Sequence, residues 1–223
     1  MNGGRGVRKT AELLQDTRLY VLLDGRDSPD SFVQLVQALV EAGVDVLQLR
    51  DKRLPDRDLV ERARVLRRLT RETGTLFIVN DRPDIAVLSD ADGVHVGQDE
   101  LTVADCRTLV GSRKLVGVST HSLAQARQAV RDGADYIGCG PTFPSQTKAF
   151  EDFPGLEFLR AVQPEIALPA FAIGGINGEN IARVLETGFR RIAVSGAVTA
   201  ATDPAAAARS LCRTVRGPNQ FTA

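Results

Sequence analysis

Short apolar runs of strand length alternate with amphipathic helical patterns along almost the whole chain, and this alternation restricts the possible folds most strongly. The runs are rich in β-branched and aromatic residues, as buried strands are. A strand followed by a helix, repeated many times, favours parallel strand pairing. Eight candidate strands occur, at Leu19–Leu23, Val44–Leu49, Leu76–Val79, Gly93–Val96, Leu115–Ser119, Tyr136–Cys139, Ala170–Ile173 and Arg191–Ser195.

The stretches between these runs predict helices. Apolar residues recur at helical spacing within 32–40, 59–69 and 181–185. The segments EAGVD, RDGADY and ETGFRR each place a glycine between a helix and the next strand, where a left-handed residue ends a helix. Eight such units predict a single-domain α/β fold, a closed (β/α)8 TIM barrel. An open doubly wound sheet is the alternative, but the residues after Leu23 read DGRD instead of GxGxxG.

The barrel is expected to span residues 18–216, which leaves residues 1–17 as an N-terminal extension and 217–223 as a C-terminal tail. Part of the extension, residues 7–16, is compatible with a short helix packed across the bottom of the barrel. The sequence between 18 and 216 shows no linker, repeat or low-complexity segment that would divide it.

Composition excludes several functional classes. The 28 basic and 28 acidic residues cancel to a net charge of zero, which removes the simplest electrostatic basis for nucleic-acid binding but does not exclude a local basic site. No apolar run approaches the roughly 18–20 residues of a membrane helix, and the first ten residues lack the apolar segment of a signal peptide. The three cysteines are widely spaced, without a CxxC pair. This pattern fits a cytoplasmic protein and argues against a zinc site.

The predicted strands end in polar segments, and in a barrel these carboxyl ends carry the chemistry. Ordinary loop composition explains any one of them, but seven polar ends together indicate a binding site. They read QLRDK at 48–52, NDR at 80–82, GQDE at 97–100, STH at 119–121, GPTFPSQTK at 140–148, GG at 174–175 and SG at 195–196.

The glycines after strands 7 and 8 predict a phosphate site. Gly174 and Gly175 allow the backbone to approach a phosphate oxygen, and Ser195 adds a hydroxyl. The alternative explanation is a tight turn that needs glycine for its positive φ.

The acids Asp81 and Glu100 follow neighbouring strands and can converge on a Mg²⁺ ion that also binds a diphosphate. The alternative is that they form loop salt bridges with nearby cations such as Arg50, Lys52 and Arg82. In the metal hypothesis Arg50, Lys52 and Lys148 donate to phosphate oxygens. Two anionic subsites, one metal-bound and one metal-free, predict an enzyme that joins two phosphorylated molecules or displaces a diphosphate.

Neither histidine belongs to a familiar catalytic motif. His95 lies inside a predicted strand, which favours a role in packing or a hydrogen bond. His121 lies on a loop and remains open to a functional role. The sequence contains no HExxH and no Ser–His–Asp order.

The chain resembles the thiamine phosphate synthase family from about residue 18 to residue 200. The resemblance rests on segments that follow one another in the order of the family. They are QLRDK at 48–52, NDR at 80–82, ADGVHVGQDE at 91–100, GVSTHS at 117–122, GADYIGCGPTFPSQTK at 133–148, AIGGI at 172–176 and VSGA at 194–197.

The resemblance implies a (β/α)8 barrel that uses Mg²⁺ and two phosphorylated small-molecule substrates. It implies that 4-amino-2-methyl-5-(diphosphooxymethyl)pyrimidine, the pyrimidine diphosphate, condenses with 4-methyl-5-(2-phosphooxyethyl)thiazole, the thiazole phosphate. The products are thiamine phosphate and pyrophosphate. The departing pyrophosphate leaves a cation that the thiazole nitrogen captures, so no strong general base is needed.

The family match also assigns residues. It implies Mg²⁺ ligation by Asp81 and Glu100, and catalytic roles for Arg50, Lys52, Ser119 and Lys148. The pyrimidine diphosphate would be held by Gln48, Leu49, Arg50, Asp51, Lys52, Asn80, Ser119 and Lys148. The thiazole phosphate would be held by Ser145, Gln146, Thr147, Gly175, Val194 and Ser195.

Two departures from the family pattern matter. The second acid after the GQ pair is usually Asp and here is Glu100, so either Asp99 or Glu100 can be the ligand. The usual Thr at position 145 is Ser145, which keeps the hydroxyl.

Two alternative functions remain. A related thiazole tautomerase would need only the thiazole phosphate, with His121 in proton transfer, and a catalytically silent regulator would bind phosphorylated ligands without turnover. A homo-oligomer is compatible with the sequence, which does not determine the oligomeric state.

Overall fold

The computed structural model describes residues 8–144 and 154–217. Its eight strands are all parallel and form one closed barrel in the order β1 to β8, with β1 paired to both β2 and β8. The predicted (β/α)8 barrel is therefore confirmed, and the open sheet is excluded. The strands are β1 Leu19–Leu23, β2 Val46–Leu49, β3 Leu76–Asn80, β4 Gly93–Val96, β5 Leu115–Thr120, β6 Tyr136–Cys139, β7 Ala170–Ile173 and β8 Ile192–Val194.

Helices follow the strands and surround the barrel. No helix in the described ranges is long and apolar enough to cross a membrane. The helices are α1 Arg8–Asp16, α2 Pro29–Glu41, α3 Asp56–Thr70, α4 Pro83–Leu88, α5 Val103–Val110, α6 Leu123–Arg131, α7 Gly155–Val162, α8 Ile181–Leu185, α9 Gly196–Thr199 and α10 Pro204–Arg216.

The strand residues alternate between two apolar clusters, as the pleat requires. Outward-facing residues such as Val21 and Leu47 pack against the helices in the larger cluster. Inward-facing residues such as Tyr20, Val46 and Ile78 fill the barrel lumen in a smaller cluster. The direction in which a side chain points therefore depends on whether its position in the strand is odd or even.

The predicted start of the second strand is wrong, because the chain there still completes the end of α2. The sequence pattern places Val44 in the strand, but its N–H donates to the Leu39 carbonyl at the end of α2. That bond belongs to a glycine-ended helix, with Gly43 at φ +80°. Gly133 and Gly188 also have positive φ, at +78° and +91°, so the glycine endings predicted from the sequence are confirmed.

Aspartates clamp the bottom of the barrel at the start of three alternate strands. Asp45 precedes β2 and accepts the Leu19 N–H at 2.9 Å. Asp92 precedes β4 and Asp135 precedes β6, and they accept N–H groups of β3 and β5 at 2.8 and 2.7 Å. Each also pairs with an arginine from a helix. These carboxylates tie neighbouring strands together at the end opposite the site.

The fourth equivalent position, before β8, holds Arg191 instead. Its guanidinium donates to the Gln15 carbonyl of α1 at 2.8 Å. Leu14 of α1 is 3% exposed and packs in the lumen cluster. Helix α1 therefore closes the bottom of the barrel, and the open end is the carboxyl end of the strands.

Candidate active site

Gln48, Asn80 and Ser119 lie at the carboxyl ends of β2, β3 and β5, at positions that face the barrel lumen. Gln48 is 2% exposed, while Asn80 and Ser119 are partly exposed. Asp81 follows Asn80 at the rim. The structure therefore brings together three residues predicted for the diphosphate subsite and one predicted metal ligand.

Two other predicted residues face away from the lumen. Leu49 and Val194 are 1% and 4% exposed, and both pack in the outer cluster between strands and helices. Only their main-chain atoms can meet a ligand in the barrel mouth. The alternation along each strand accounts for this difference, because each directly neighbours an inward-facing position.

Asp51 holds two loops together. Its side chain is only 1% exposed, and its carboxylate accepts N–H groups from Gly25 at 3.0 Å, Arg53 at 2.7 Å and Leu54 at 3.1 Å. Burial alone would raise the pKa of Asp51, but these backbone bonds outweigh it and lower the pKa. The residue thus positions the loops after β1 and β2, and its carboxylate is already engaged.

Asp81 and Glu100 converge, with cations beside them. Burial and the charge of Glu100 raise the pKa of Asp81. Lys52, the Asn80 side chain and Arg50 act in the opposite direction on the same carboxyl group. The Asn80 amide donates to Asp81 at 2.6 Å, and Asp81 itself is held at φ +59°. Four charged groups thus share a small region at the rim, as the diphosphate hypothesis requires.

The salt-bridge alternative predicted Arg82 as a partner of these acids, and the structure places it elsewhere. Its guanidinium pairs with Asp56 and Asp84, each at 2.6 Å. These two carboxylates raise the pKa of Arg82, and Arg82 in turn lowers the pKa of both. Arg82 therefore connects the starts of α3 and α4, whereas Asp81 faces Glu100.

Glu100 reaches towards the site more directly than Asp99. The Glu100 carboxylate folds over Gly97, where a Cβ added to the glycine would lie 2.3 Å from Oε2. The charge of Glu100 raises the pKa of Asp81, and Asp99 is not among the groups that shift this pKa. Within residues 8–144 and 154–217, no group of three or more His, Cys, Asp or Glu side chains gathers as a metal cluster. The carboxylates that the protein can offer to a metal ion here are thus those of Asp81 and Glu100.

The loop after β7 contains the two glycines of the predicted phosphate site. Gly174 and Gly175 have φ of +100° and +63°. A Cβ on Gly175 would lie 2.5 Å from the Pro144 carbonyl oxygen and 2.8 Å from that of Phe143. Glycine is therefore required here both for the turn and for close packing against the loop after β6. The Asn180 amide fixes the turn by donating to the Gly175 carbonyl at 2.8 Å.

Ser195 is exposed at the end of β8, and its carbonyl accepts the N–H groups of Val198 and Thr199 at 2.9 Å. His121 has its Nδ1 atom 2.6 Å from the Gly140 carbonyl oxygen. Its backbone N–H donates to Gln125 at 2.7 Å. His121 thus connects the loop after β5 to the end of β6.

A chain of hydrogen bonds crosses the lumen between two of the predicted residues. Gln48 Nε2 donates to the Tyr20 hydroxyl at 2.7 Å. The Tyr20 and Tyr136 hydroxyls are 3.2 Å apart, and Tyr136 is 3.2 Å from His95 Nδ1. His95 Nε2 is 2.9 Å from Ser119 Oγ. Burial lowers the pKa of His95 to about 4, so the ring is neutral.

Sequence reasoning missed both tyrosines. They are the only tyrosines in the chain, and both occupy inward-facing strand positions, which the period-two alternation of β1 and β6 identifies. The hydrogen-bonded role proposed for His95 is confirmed.

Comparison with known proteins identifies the family. The model of the family described as thiamine monophosphate synthase matches residues 19–198, which is most of the chain. The chain belongs to the thiamine monophosphate synthase family. The resemblance seen in the sequence motifs is therefore confirmed.

Curated relatives in the thiamine monophosphate synthase family differ in length. A thiamine-phosphate synthase from Chloroflexus aurantiacus is 50% identical over 198 residues, which are 88% of this chain and 91% of the relative. Another, from Rhodopirellula baltica, is 48% identical over 198 residues, which are 86% of this chain but 53% of that protein. The chain thus spans nearly all of some relatives and about half of others.

Solved structures agree with this family. A thiamine phosphate pyrophosphorylase from Pyrococcus furiosus has a TM-score of 0.82 at 38% identity, covering 92% of this chain and 98% of that one. A 3-hexulose-6-phosphate synthase has a TM-score of 0.69 at 22% identity, covering 89% of this chain and 99% of that one. The second likeness shows the fold alone.

Part of the thiamine monophosphate synthase motif series falls on residues that the structure does not describe. Ser145, Gln146, Thr147 and Lys148 lie outside the described ranges. Their assignment to the substrates stays a prediction from the resemblance.

Proposed function

We propose that the chain is a thiamine phosphate synthase, which condenses the pyrimidine diphosphate with the thiazole phosphate and releases pyrophosphate. One observation carries this proposal: the charges of Glu100, Lys52 and Arg50 all act on the Asp81 carboxyl at the rim, and Arg50 and Lys52 directly follow the strand that carries the lumen-facing Gln48. Membership of the family, at 50% identity to a relative of similar length, supports the same reaction.

The diphosphate subsite is formed by the ends of β2, β3 and β5. Arg50 and Lys52 supply charge-assisted donors to phosphate oxygens. Asn80 and Ser119 contribute an amide and a hydroxyl at the lumen face, while Gln48 faces the pyrimidine ring. Lys148 completes this subsite by its family match. Leu49 contributes main-chain atoms, and Asp51 holds the loop that carries Arg50 and Lys52.

The acids fit Mg²⁺. Burial and the negative charge of the exposed Glu100 raise the pKa of Asp81, and a cation bound between the two carboxylates would relieve their repulsion. Mg²⁺ commonly takes one or two protein carboxylates and fills its other positions with water and substrate oxygens. Asp81 and Glu100 are the residues that would hold it. When bound, the ion would supply positive charge to the diphosphate oxygens.

The thiazole phosphate subsite is formed by the loops after β7 and β8. The glycine turn at Gly174 and Gly175 is proposed to present backbone N–H groups to a phosphate, and Ser195 to add its hydroxyl at the neighbouring strand end. Val194 contributes only main-chain atoms. The motif residues Ser145, Gln146 and Thr147 are proposed to close this subsite, since the loop that precedes them packs directly on Gly175.

The chemistry requires leaving-group stabilisation and alignment. The bond between the pyrimidine methylene carbon and the diphosphate oxygen breaks, and pyrophosphate leaves with the electron pair. Arg50, Lys52, Ser119 and Lys148 are proposed to donate hydrogen bonds to the oxygens on which charge grows. The thiazole nitrogen then bonds to the methylene carbon with its own lone pair. No proton is transferred in either step, so the cations at the rim suffice and no general base is required.

A coupled assay tests this function. The chain is incubated with both substrates and Mg²⁺, and thiamine phosphate and pyrophosphate are quantified; equal amounts of both are expected. A control without the thiazole phosphate measures simple diphosphate hydrolysis. Isomerisation of a thiazole phosphate tautomer without pyrophosphate release would favour the tautomerase, and binding without turnover would favour the regulator.

We also propose a cytoplasmic location. It is supported by the three cysteines, Cys106, Cys139 and Cys212, all of which are buried and free of disulfides.

A further inference from the structure

The hydrogen-bond chain across the lumen has a defined direction. A tyrosine hydroxyl carries one proton, so it donates only once. Because Gln48 Nε2 donates to Tyr20, the proton of Tyr20 is directed to its other neighbour, Tyr136. By the same reasoning Tyr136 donates to His95 Nδ1.

The remaining links follow from this order. With Nδ1 accepting, the neutral His95 ring carries its proton on Nε2 and donates to Ser119 Oγ, 2.9 Å away. The proton of Ser119 is then left to donate to a ligand. One end of the chain therefore presents a donor to the mouth of the barrel.

The other end presents an acceptor. Gln48 Oε1 is buried and has no hydrogen-bond partner among the described residues, although Gln48 is 2% exposed. A buried carbonyl oxygen without a partner has lost its hydration and therefore carries a free-energy cost. A ligand that brings an N–H group to this oxygen recovers that cost.

We propose that Tyr20, Tyr136 and His95 are positioning residues that lock the direction of this chain, so that Gln48 accepts from the substrate and Ser119 donates to it. The proposal rests on the proposed function. The exocyclic amino group is the only N–H donor of an aminopyrimidine ring, so it is the group that satisfies Gln48. The ring nitrogens and the diphosphate are acceptors that suit Ser119.

The packing around the chain supports a dedicated arrangement. A Cβ on Gly117 would lie 2.1 Å from the Tyr136 ring, so glycine is needed at this inward-facing position to admit the ring. The Phe171 ring packs edge-on against both tyrosines, with centroids 5.2 Å from Tyr20 and 5.8 Å from Tyr136. Phe171 thus supports the same rings without a polar group, which makes it a matched control.

The experiment uses three test variants, which are Tyr20→Phe, Tyr136→Phe and the double variant that combines them. Phe171→Leu is the control with which they are compared. Each substitution allows the Gln48 amide to turn over. Tyr20→Phe removes the acceptor of Gln48 Nε2, and Tyr136→Phe leaves the Tyr20 proton able to donate to Gln48 Oε1. We expect kcat/KM for the pyrimidine diphosphate to fall about tenfold in each tyrosine variant. The KM for the thiazole phosphate should stay within about twofold of the wild-type value.

The decisive readout is selectivity. The wild-type enzyme should prefer the 4-amino pyrimidine diphosphate over its 4-oxo analogue, and both tyrosine variants should lose most of that preference. The double variant should fall no further than the worse single variant, because one break already releases the chain. Phe171→Leu should lower the melting temperature but keep the preference.

Two outcomes overturn the inference. One is a tyrosine variant that keeps wild-type selectivity, and the other is a Phe171→Leu variant that loses selectivity equally, which would show a packing effect. A wild-type enzyme that makes no thiamine phosphate would instead overturn the proposed function, so the two failures are distinguishable.

Discussion

The Asp51 carboxylate accepts the N–H group of Gly25 at 3.0 Å and so ties the loop after β2 to the loop after β1. Its other oxygen accepts the N–H groups of Arg53 and Leu54. Asp51 lies within a motif that also carries Arg50 and Lys52. We therefore expect Asp51 to hold the loop that contacts the substrate in place, and not to contact the substrate itself.

Asp51→Ala should lower the free energy of unfolding by about 2 kcal/mol, because it leaves three backbone N–H groups, two of them in partly buried bonds, without an acceptor. Denaturant unfolding measures the change. Asp24→Ala is the control, since the Asp24 carboxylate is 40% exposed and pairs with an exposed Arg53; it should change the value by less than about 1 kcal/mol. Equal effects of the two substitutions would contradict this role.

The lowered pKa of Asp51 predicts a particular pH dependence. Its ionised form stabilises the fold at pH values above the unfolded pKa of about 3.9, and this contribution is lost as pH falls through the lower folded value. The stability difference between wild type and Asp51→Asn should thus be constant above about pH 5 and should shrink below about pH 4. Unfolding curves from about pH 3 to about pH 7 test this, and a constant difference over that whole range would refute it.

Glu100→Ala should raise the Mg²⁺ concentration needed for half-maximal activity by at least about tenfold, because it removes one of two proposed carboxylate ligands. Asp99→Ala is the matched control: Asp99 is the adjacent acid and is also exposed. It should shift the requirement less than about twofold. Titration of chelator-treated enzyme measures both, and the reverse ranking would assign the metal to Asp99.

Gly175→Ala should impair both the binding of the thiazole phosphate and the reaction of the pyrimidine diphosphate. The new Cβ would lie 2.5 Å from the Pro144 carbonyl oxygen, in a residue at φ +63°, so the loop leading to 145–148 must move. We expect KM for the thiazole phosphate to rise and kcat to fall, because the displaced Pro144 leads directly into the motif that contains Lys148. Gly178→Ala is the control, since nothing lies within 4 Å of its Cβ position. Steady-state kinetics that show an unchanged Gly175→Ala enzyme would contradict the packing argument.

Lys148→Ala should lower kcat by about 10²-fold or more while leaving thiazole phosphate binding nearly unchanged, since charge on pyrophosphate grows only during bond breaking. Calorimetric titration of the thiazole phosphate and single-turnover rates separate the two quantities. Lys114→Ala serves as the control, because Lys114 contacts Asp90 and Ala91 beside the bottom of the barrel. A normal single-turnover rate would remove Lys148 from the mechanism.

The alternation of strands with helices and the polar carboxyl ends of the strands could be predicted without coordinates. The partners of the individual side chains could not. Leu49 and Val194 belong to matching motifs, yet both face the helices. Asp51 belongs to the same motif as Arg50, yet its carboxylate is taken up by backbone N–H groups. A motif identifies a segment, while the pleat and the neighbouring loops determine which of its atoms can meet a ligand.

The closed barrel, the polar rim and the family all follow from the order of amino acids, because hydrophobic period, helix-ending glycines and motif order are local properties of the chain. The meeting of Tyr20 and Tyr136 is different: they lie 116 residues apart, yet folding brings their hydroxyls to 3.2 Å. That contact depends on the closure and register of eight strands, and so does the approach of Glu100 to Asp81. Distances across a lumen are set by the whole barrel, so no local pattern encodes them.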